Sequence, residues 1–317
     1  MWLTEAQFER LYPDAIRGYF DAGQQGHLEG LDGVSLHYRL FLPEGASTLL
    51  VLSSGRTESV IKYQELIFEL GQKGIAVAAL DHRGQGLSGR LTGDSELGFV
   101  EDFDHYGADL DHFVQKVVVP LGYARHWLLA HSMGGCISAL YLERYPHPFE
   151  KVVMTSPMFA INTAPFPLWV ARGMARWQSL QDEKRGQPRY VPTAGPYQRR
   201  PFENNELSHS TLRFERNLDW LDELPGARLG GPSAQWLNAA FLAMEKAIAN
   251  AVNIKVPVLV IAAGDDKVVS LAGQRAFVDA LPDGRLDIVA GGWHELLLES
   301  DDYRLLTLAT LWSFFND

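Results

Sequence analysis

The chain contains short, almost continuous runs of apolar residues, separated by longer stretches in which apolar residues recur every three or four positions. Continuous runs of this length are typical of strands that are covered on both faces. The predicted strands are Val34–Leu42, Leu49–Ser53, Ile75–Leu80, Trp127–Ala130, Val152–Thr155, Val258–Ala263 and Leu286–Val289.

Between these runs, three stripes with i, i+3, i+4 spacing predict helices that bury one face. They begin at Tyr63, at Phe103 and at Leu305. Strands that alternate with helices predict an α/β class protein with a mainly parallel central sheet flanked by helices.

The alternation stops in one long segment, which predicts an inserted cap or lid. Residues 157–253 are rich in proline and contain no clear core strand, so we expect residues 1–156 and 254–317 to form the two parts of the core. Between Arg172 and Arg216 the insertion carries nine Lys/Arg and five Asp/Glu, whereas the whole chain has a formal net charge of −11.

Composition restricts the function further. The surplus of acid argues against nucleic acid as a partner, because phosphate neutralisation needs an excess of Lys and Arg. The single cysteine excludes an intramolecular disulfide and fits a reducing compartment. The N-terminus resembles no signal peptide, and no apolar run approaches the length of a membrane span, so we expect a cytoplasmic protein.

The segment around Ser132 is the most informative stretch for chemistry. An apolar strand runs into Ala130-His131-Ser132-Met133-Gly134-Gly135, and residues compatible with a helix follow. Small-x-Ser-x-Gly between a strand and a helix is the pattern of a nucleophile elbow, in which a tight turn exposes the serine above the sheet. We predict Ser132 as the nucleophile and the Met133 N–H as one oxyanion donor, and we expect His131 to have a local packing role.

The elbow predicts the order Ser, Asp/Glu, His along the chain. Two neighbouring acids, Asp265 and Asp266, follow the strand that ends at Ala263, and we favour Asp266 because it directly precedes Lys267-Val268-Val269. His294 is the only histidine after His209, and it follows a glycine-containing loop at the end of a strand. We therefore predict His294 as the general base and Asp266 as the acid that orients it.

The second oxyanion donor should lie in the loop after an earlier strand. Ser54-Gly55-Arg56-Thr57-Glu58-Ser59 follows Leu49–Ser53, and we assign this donor to the Arg56 N–H. The Arg56 side chain could bind a phosphate group or pair with Glu58. His105 and His112 lie seven residues apart on a predicted helix, where a solvated helix face is a better interpretation than a metal site, and we predict no metal.

Together, four motifs resemble the bacterial lysophospholipases that are related to monoacylglycerol lipases, a group with the α/β-hydrolase fold. They are the loop 54–59 followed by Lys62-Tyr63, the segment Asp81-His82-Arg83-Gly84-Gln85-Gly86-Leu87-Ser88, the elbow, and Leu229-Gly230-Gly231-Pro232. The resemblance implies hydrolysis of the single acyl ester of a lysophospholipid or monoacylglycerol, no cofactor, and loose peripheral association with the inner membrane. Ser54-Gly55 replaces the His-Gly of the monoacylglycerol lipases, which favours the lysophospholipase branch.

Aromatic residues of the insertion could line an acyl channel, and its basic residues could hold a phosphate headgroup. We consider Phe159, Trp169, Trp177 and, in the oxyanion loop, Glu58 as candidate substrate contacts. An equally simple interpretation makes these aromatics the small core of the cap. A general esterase, a serine aminopeptidase that uses Glu203 and Glu206, and a non-catalytic ligand-binding protein remain open as alternatives.

Overall fold

A single mixed sheet organises the computed structural model, which describes residues 2–317. In this part of the chain the sheet has eight strands, in the order β1-β2-β4-β3-β5-β6-β7-β8. Only β2 runs antiparallel to its neighbours, and all other pairs are parallel. The strands are β1 Gln24–Glu29, β2 Ser35–Phe41, β3 Thr48–Ser53, β4 Ile75–Leu80, β5 Arg125–His131, β6 Lys151–Thr155, β7 Val258–Ala263 and β8 Gly284–Val289.

All of the predicted strands are present, and the sequence prediction missed only β1. This strand forms one edge of the sheet and pairs with β2 alone, with His27 opposite His37. Its sequence, QQGHLE, contains one large apolar residue, and its side chains are half-buried or exposed. An edge strand without a buried face carries no hydrophobic pattern, so periodicity could not reveal it.

Helices cover both faces of the sheet, which explains the apolar character of its central strands. Leu128 contributes to the core on one face, with α4, α5, α8 and α9, and Leu129 contributes to the core on the other, with α3 and α10. The helices are α1 Glu5–Leu11, α2 Arg17–Asp21, α3 Gln64–Gln72, α4 Asp104–Phe113, α5 Met133–Leu142, α6 Leu168–Arg185, α7 Thr211–Glu223, α8 Ala234–Asn250, α9 Leu271–Ala280 and α10 Asp301–Asn316.

The segment between β6 and β7 contains α6, α7 and α8 and contributes no strand to the sheet. The last of these helices, α8, buries Trp236, Ala240, Phe241 and Met244 in the same core cluster as α5 and α9. The division of the chain at residues 157 and 253 stays a prediction, and the packing of α8 favours an insertion that ends near Ser233. Within residues 2–317, none of the helices is both long enough and apolar enough to cross a membrane.

Candidate active site

Ser132 lies in a strained turn between β5 and α5. Its φ of 50° falls in the left-handed region, which a residue with a Cβ rarely adopts. Its N–H donates to the Thr155 carbonyl at 3.0 Å. A Cβ at Gly134 would lie 2.2 Å from the Ser53 carbonyl oxygen, so glycine alone allows β3 to approach the turn this closely. This geometry is that of a nucleophile elbow.

A continuous hydrogen-bond chain joins Ser132, His294 and Asp266. Ser132 Oγ lies 2.9 Å from His294 Nε2, and His294 Nδ1 lies 2.7 Å from Asp266 Oδ2. The carboxylate is the acceptor at Nδ1, so Nε2 of the neutral ring is free to accept the serine proton. Ser132 is only 8% exposed and His294 is also buried, which places this relay away from bulk water.

The structure distinguishes the two acids that the sequence left in competition. Asp266 reaches His294 and also accepts from the N–H groups of Val268 and Val269, at 2.8 and 3.0 Å. Asp265 is exposed, and its N–H donates to the Gly292 carbonyl. The favoured candidate is therefore the acid that the fold brings to the histidine.

The loop after β3 begins beside the elbow, as its assignment to the oxyanion site requires. Ser53 and Ser54 approach Gly134, and Met133 is the first residue of α5, where the helical ladder does not use its N–H. Gln85 Nε2 holds the loop by donating to the Gly55 carbonyl at 2.7 Å. The roles of the Arg56 and Met133 N–H groups as oxyanion donors stay predictions.

The half-buried Arg56 side chain points to the insertion and does not contact Glu58. Its guanidinium donates to the Gly230 carbonyl at 2.7 Å and lies 5.0 Å from the Trp236 ring centre. Burial lowers the pKa of Arg56 to about 10. The predicted alternative pairing of Arg56 with Glu58 is absent, because the Glu58 carboxylate instead contacts Lys62, Tyr63 and the Gly55 N–H.

The four candidate substrate contacts occupy different environments. Phe159 is buried and stacks on Phe277, with ring centres 3.8 Å apart, and Glu58 is buried among its internal partners. Trp169 and Trp177 lie on the outer face of α6 and are 77% and 66% exposed. Their roles in substrate binding stay predictions, and the burial of Phe159 also fits a residue of the core.

Several residues that support the site were missed by sequence reasoning. Asp81 organises the loops around β4: it accepts from the N–H groups of Val60 at 2.7 Å and Leu87 at 2.9 Å. Glu299 accepts from the Trp293 N–H at 3.0 Å, next to His294. The motif from Asp81 to Ser88 was noticed as a family resemblance, and only the contacts reveal that it braces the oxyanion loop.

Comparisons with known proteins find relatives over nearly the whole chain. Residues 45–301 match the family described as serine aminopeptidase, S33. Lysophospholipase L2 of Escherichia coli (strain K12) is 34% identical over 323 residues, covering 99% of this chain and 94% of that protein. The monoacylglycerol lipase of Mycolicibacterium smegmatis is 27% identical over 89% of this chain and 94% of its own length.

A solved structure shares the fold. A soluble variant of monoglyceride lipase from Saccharomyces cerevisiae, crystallised with a substrate analogue, superposes with a TM-score of 0.72 at 18% identity, covering 91% of this chain and 93% of that one. On these grounds the chain belongs to the serine aminopeptidase (S33) family and is a serine hydrolase of the α/β-hydrolase fold.

Proposed function

We propose that this enzyme hydrolyses the acyl ester of lysophospholipids, with Ser132 as nucleophile, His294 as general base and Asp266 as the orienting acid. The observation that carries the proposal is the hydrogen-bond chain from Ser132 through His294 to Asp266 at the elbow. The similarity to lysophospholipase L2 over nearly the whole length of both chains supports the substrate class.

In the proposed mechanism, His294 Nε2 takes the proton of Ser132 as Oγ attacks the acyl carbonyl. The N–H groups of Met133 and Arg56 stabilise the oxyanion of the tetrahedral intermediate. The ester C–O bond then breaks, and the imidazolium gives its proton to the leaving glycerol oxygen. Water, deprotonated by the same histidine, attacks the acyl-enzyme and releases the fatty acid and the free serine.

A second candidate is hydrolysis of monoacylglycerols, which requires the same bond cleavage without a phosphate headgroup. The similarity to monoacylglycerol lipases in sequence and fold supports it. The oxyanion loop favours the lysophospholipid as substrate, because Ser54-Gly55 stands where the monoacylglycerol lipases have His-Gly.

The decisive experiment measures fatty-acid release from lysophosphatidylethanolamine, monoacylglycerol and p-nitrophenyl butyrate by the wild type and by Ser132→Ala. We expect the lysophospholipid to have the highest kcat/KM. We expect Ser132→Ala to lose activity on all three by a factor on the order of 10⁶, because the acyl-enzyme cannot form.

Different outcomes would contradict the nucleophile, the lipid substrate or the ester chemistry. Full activity in a folded Ser132→Ala variant would remove Ser132 from the mechanism. Turnover of p-nitrophenyl butyrate alone would leave the mechanism standing and contradict the lipid substrate. Release of an N-terminal amino acid from a peptide amide, with no ester hydrolysis, would favour an aminopeptidase.

We also propose that the enzyme contacts membranes peripherally through α6. The exposed face of this helix combines Trp169, Trp177 and Leu180 with the basic residues Arg176 and Lys184. A helix that presents large apolar side chains among basic ones has the composition of a surface that binds an anionic bilayer. The opposite face, with Ala175 and Gln178, is buried.

A further inference from the structure

Four charged side chains are buried together behind the candidate triad. Lys62 Nζ lies 2.6 Å from Glu58 Oε1 and 2.6 Å from Glu295 Oε1. His131 Nε2 faces the same two acids, 3.3 Å from Glu295 Oε2 and 3.7 Å from Glu58 Oε1. We call these four residues the buried charge cluster. Burial of so many charges is costly unless each one is paired, so the cluster calls for an explanation.

The surroundings of His131 favour its protonated ring. Its Nδ1 lies 3.1 Å from the Thr155 carbonyl oxygen, which can only accept, so Nδ1 carries a proton. An unprotonated Nε2 would then direct its lone pair at two carboxylates. Burial opposes a charged ring, but Glu295 and Glu58 outweigh it and raise the pKa of His131. With the His131 ring protonated, the cluster pairs two cations with two anions.

The four members come from three different parts of the active site. Glu58 Oε2 accepts from the Gly55 N–H of the oxyanion loop at 2.6 Å. Glu295 directly follows His294, and His131 directly precedes Ser132. The ring centres of His131 and His294 are 5.1 Å apart. The loops after β3, β5 and β8 thus meet at the cluster, although they are distant in the sequence.

Lys62 lies between the two carboxylates, where a metal ion could otherwise bind. Among residues 2–317, the one group with the spacing of metal ligands is Glu58, His131 and Glu295. The ammonium contacts an oxygen of both acids and neutralises them, so it takes the position and the electrostatic role of a cation. Because it is carried by the chain, this cation is permanent.

We propose that Lys62 is a positioning residue for ester hydrolysis, which joins the oxyanion loop to the His294 loop by binding Glu58 and Glu295 at once. This inference rests on the proposed function of the triad and goes beyond it. Loss of the ammonium would release both loops and leave two buried carboxylates opposed by His131 alone. A displacement of about 1 Å at reacting groups can reduce the rate on the order of 10²-fold.

The same arrangement has an electrostatic consequence for His294. The charged or titratable groups that face its ring are Asp266, His131 and Glu295, and Glu58 and Lys62 lie behind them. At the adjoining Trp293, Lys267 lies over the ring and Glu299 binds the backbone N–H. Removal of one positive charge favours the imidazolium of His294, and removal of one negative charge disfavours it.

The test compares Lys62→Met, Glu295→Gln, the double variant and Lys62→Arg with the wild type. Two quantities are measured across pH: the rate at which a fluorophosphonate labels Ser132, and kcat/KM for p-nitrophenyl butyrate. We expect Lys62→Met to lower the labelling rate and kcat/KM on the order of 10²-fold. It should also move the acidic limb of each pH–rate profile, where the rate falls as His294 becomes protonated, to higher pH. Glu295→Gln should move the acidic limb to lower pH, and the double variant should return it toward the wild-type position.

Lys62→Arg and one further variant, Arg304→Met, separate positioning from simple stabilisation. Lys62→Arg keeps the charge and should recover much of the rate that Lys62→Met loses. Arg304→Met breaks another buried pair, with Glu69 at 2.6 Å, and should reduce stability without moving the acidic limb. If Lys62→Met does not fold, the opposite behaviour of Glu295→Gln and the activity of Lys62→Arg decide the question.

The proposal is overturned if Lys62→Met labels at the wild-type rate, or if both Lys62→Met and Glu295→Gln lose rate while their acidic limbs stay fixed, as for Arg304→Met. Either result would make the cluster a stabilising feature only. Failure of the proposed function looks different: the wild-type enzyme itself would not be labelled, or Ser132→Ala would still hydrolyse the ester.

Discussion

Asp266 uses its two carboxylate oxygens for different tasks. Oδ1 accepts from the backbone N–H groups of Val268 and Val269, which fixes the side chain, and Oδ2 accepts from His294. The carboxylate is therefore held before substrate arrives. The turn after the acid supplies the backbone donors that aim its carboxylate.

We expect Asp266→Asn to reduce kcat for p-nitrophenyl butyrate on the order of 10⁴-fold, because the amide no longer enforces the productive tautomer of His294. Asp265→Asn is the matched control, since its side chain is exposed and one residue away. It should keep kcat within about two-fold of wild type. A larger loss in Asp265→Asn than in Asp266→Asn would reverse the assignment.

Sequence reasoning at the residue scale reaches furthest where a motif carries its own geometry. The elbow around Ser132 and the chain order of the triad depend on local turns, so their residues could be predicted. The roles of Lys62 and Glu295 could not be predicted, because nothing in the sequence distinguishes them from other charged residues. Only the fold brings their charged groups to 2.6 Å from each other. Charge pairs between distant segments leave no periodic signal.

At the scale of elements, the insertion is fastened to the loop that carries His294. Ser208 Oγ donates to the Leu298 carbonyl at 2.8 Å, and the Glu295 N–H donates to the Leu207 carbonyl at 2.9 Å. The buried Glu299 carboxylate completes the contact: it accepts from His209 Nδ1 at 2.8 Å and from the His209 and Trp293 N–H groups. The position of the base therefore depends on the insertion.

We expect Glu299→Ala to lower the free energy of unfolding by about 3 kcal/mol, because it leaves several buried donors without an acceptor. Urea denaturation monitored by tryptophan fluorescence measures this change, and kcat should fall in parallel as the His294 loop loosens. Glu183→Ala, on the exposed part of α6, is the control and should change stability by less than about 0.5 kcal/mol. A stable and fully active Glu299→Ala variant would contradict this role.

The burial of an element determines whether it could be predicted from the sequence. The central strands were found because both of their faces are covered, whereas β1 was missed because it has no covered face. Because no clear core strand appears between Pro157 and Asn253, the predicted insertion includes the residues of α8. Its Trp236 and Phe241 instead pack with α5 and α9, a contact that depends on the return of the chain to the sheet.

On the scale of the whole molecule, charge is distributed unevenly. The net charge of −11 would repel an anionic bilayer, so a membrane contact requires a local surface that differs from the rest. The exposed face of α6 meets this requirement. Other basic residues of the insertion are neutralised by ion pairs within the protein. Arg199 pairs with Glu215, Asp219 and Asp222, and the buried Arg213 pairs with Glu65.

We predict that the enzyme binds vesicles containing phosphatidylglycerol and phosphatidylcholine in a flotation assay. Trp169→Ala and Trp177→Ala should each weaken binding on the order of ten-fold, because each tryptophan loses apolar area in the bilayer. Leu306→Ala, at an exposed position on α10, controls for loss of any surface apolar residue and should bind normally. Equal binding by all three variants would exclude α6 as the contact.

The sequence by itself indicated seven of the eight strands, the elbow and the order Ser, Asp, His along the chain, because these depend on local hydrophobic periodicity and turn geometry. Only the tertiary structure decided which acid meets His294, how the Arg56 side chain is used, and that Lys62 joins two loops beneath the triad. These features are pairings between segments far apart in the chain. Their energy comes from burial and proximity, which exist only after the strands have assembled.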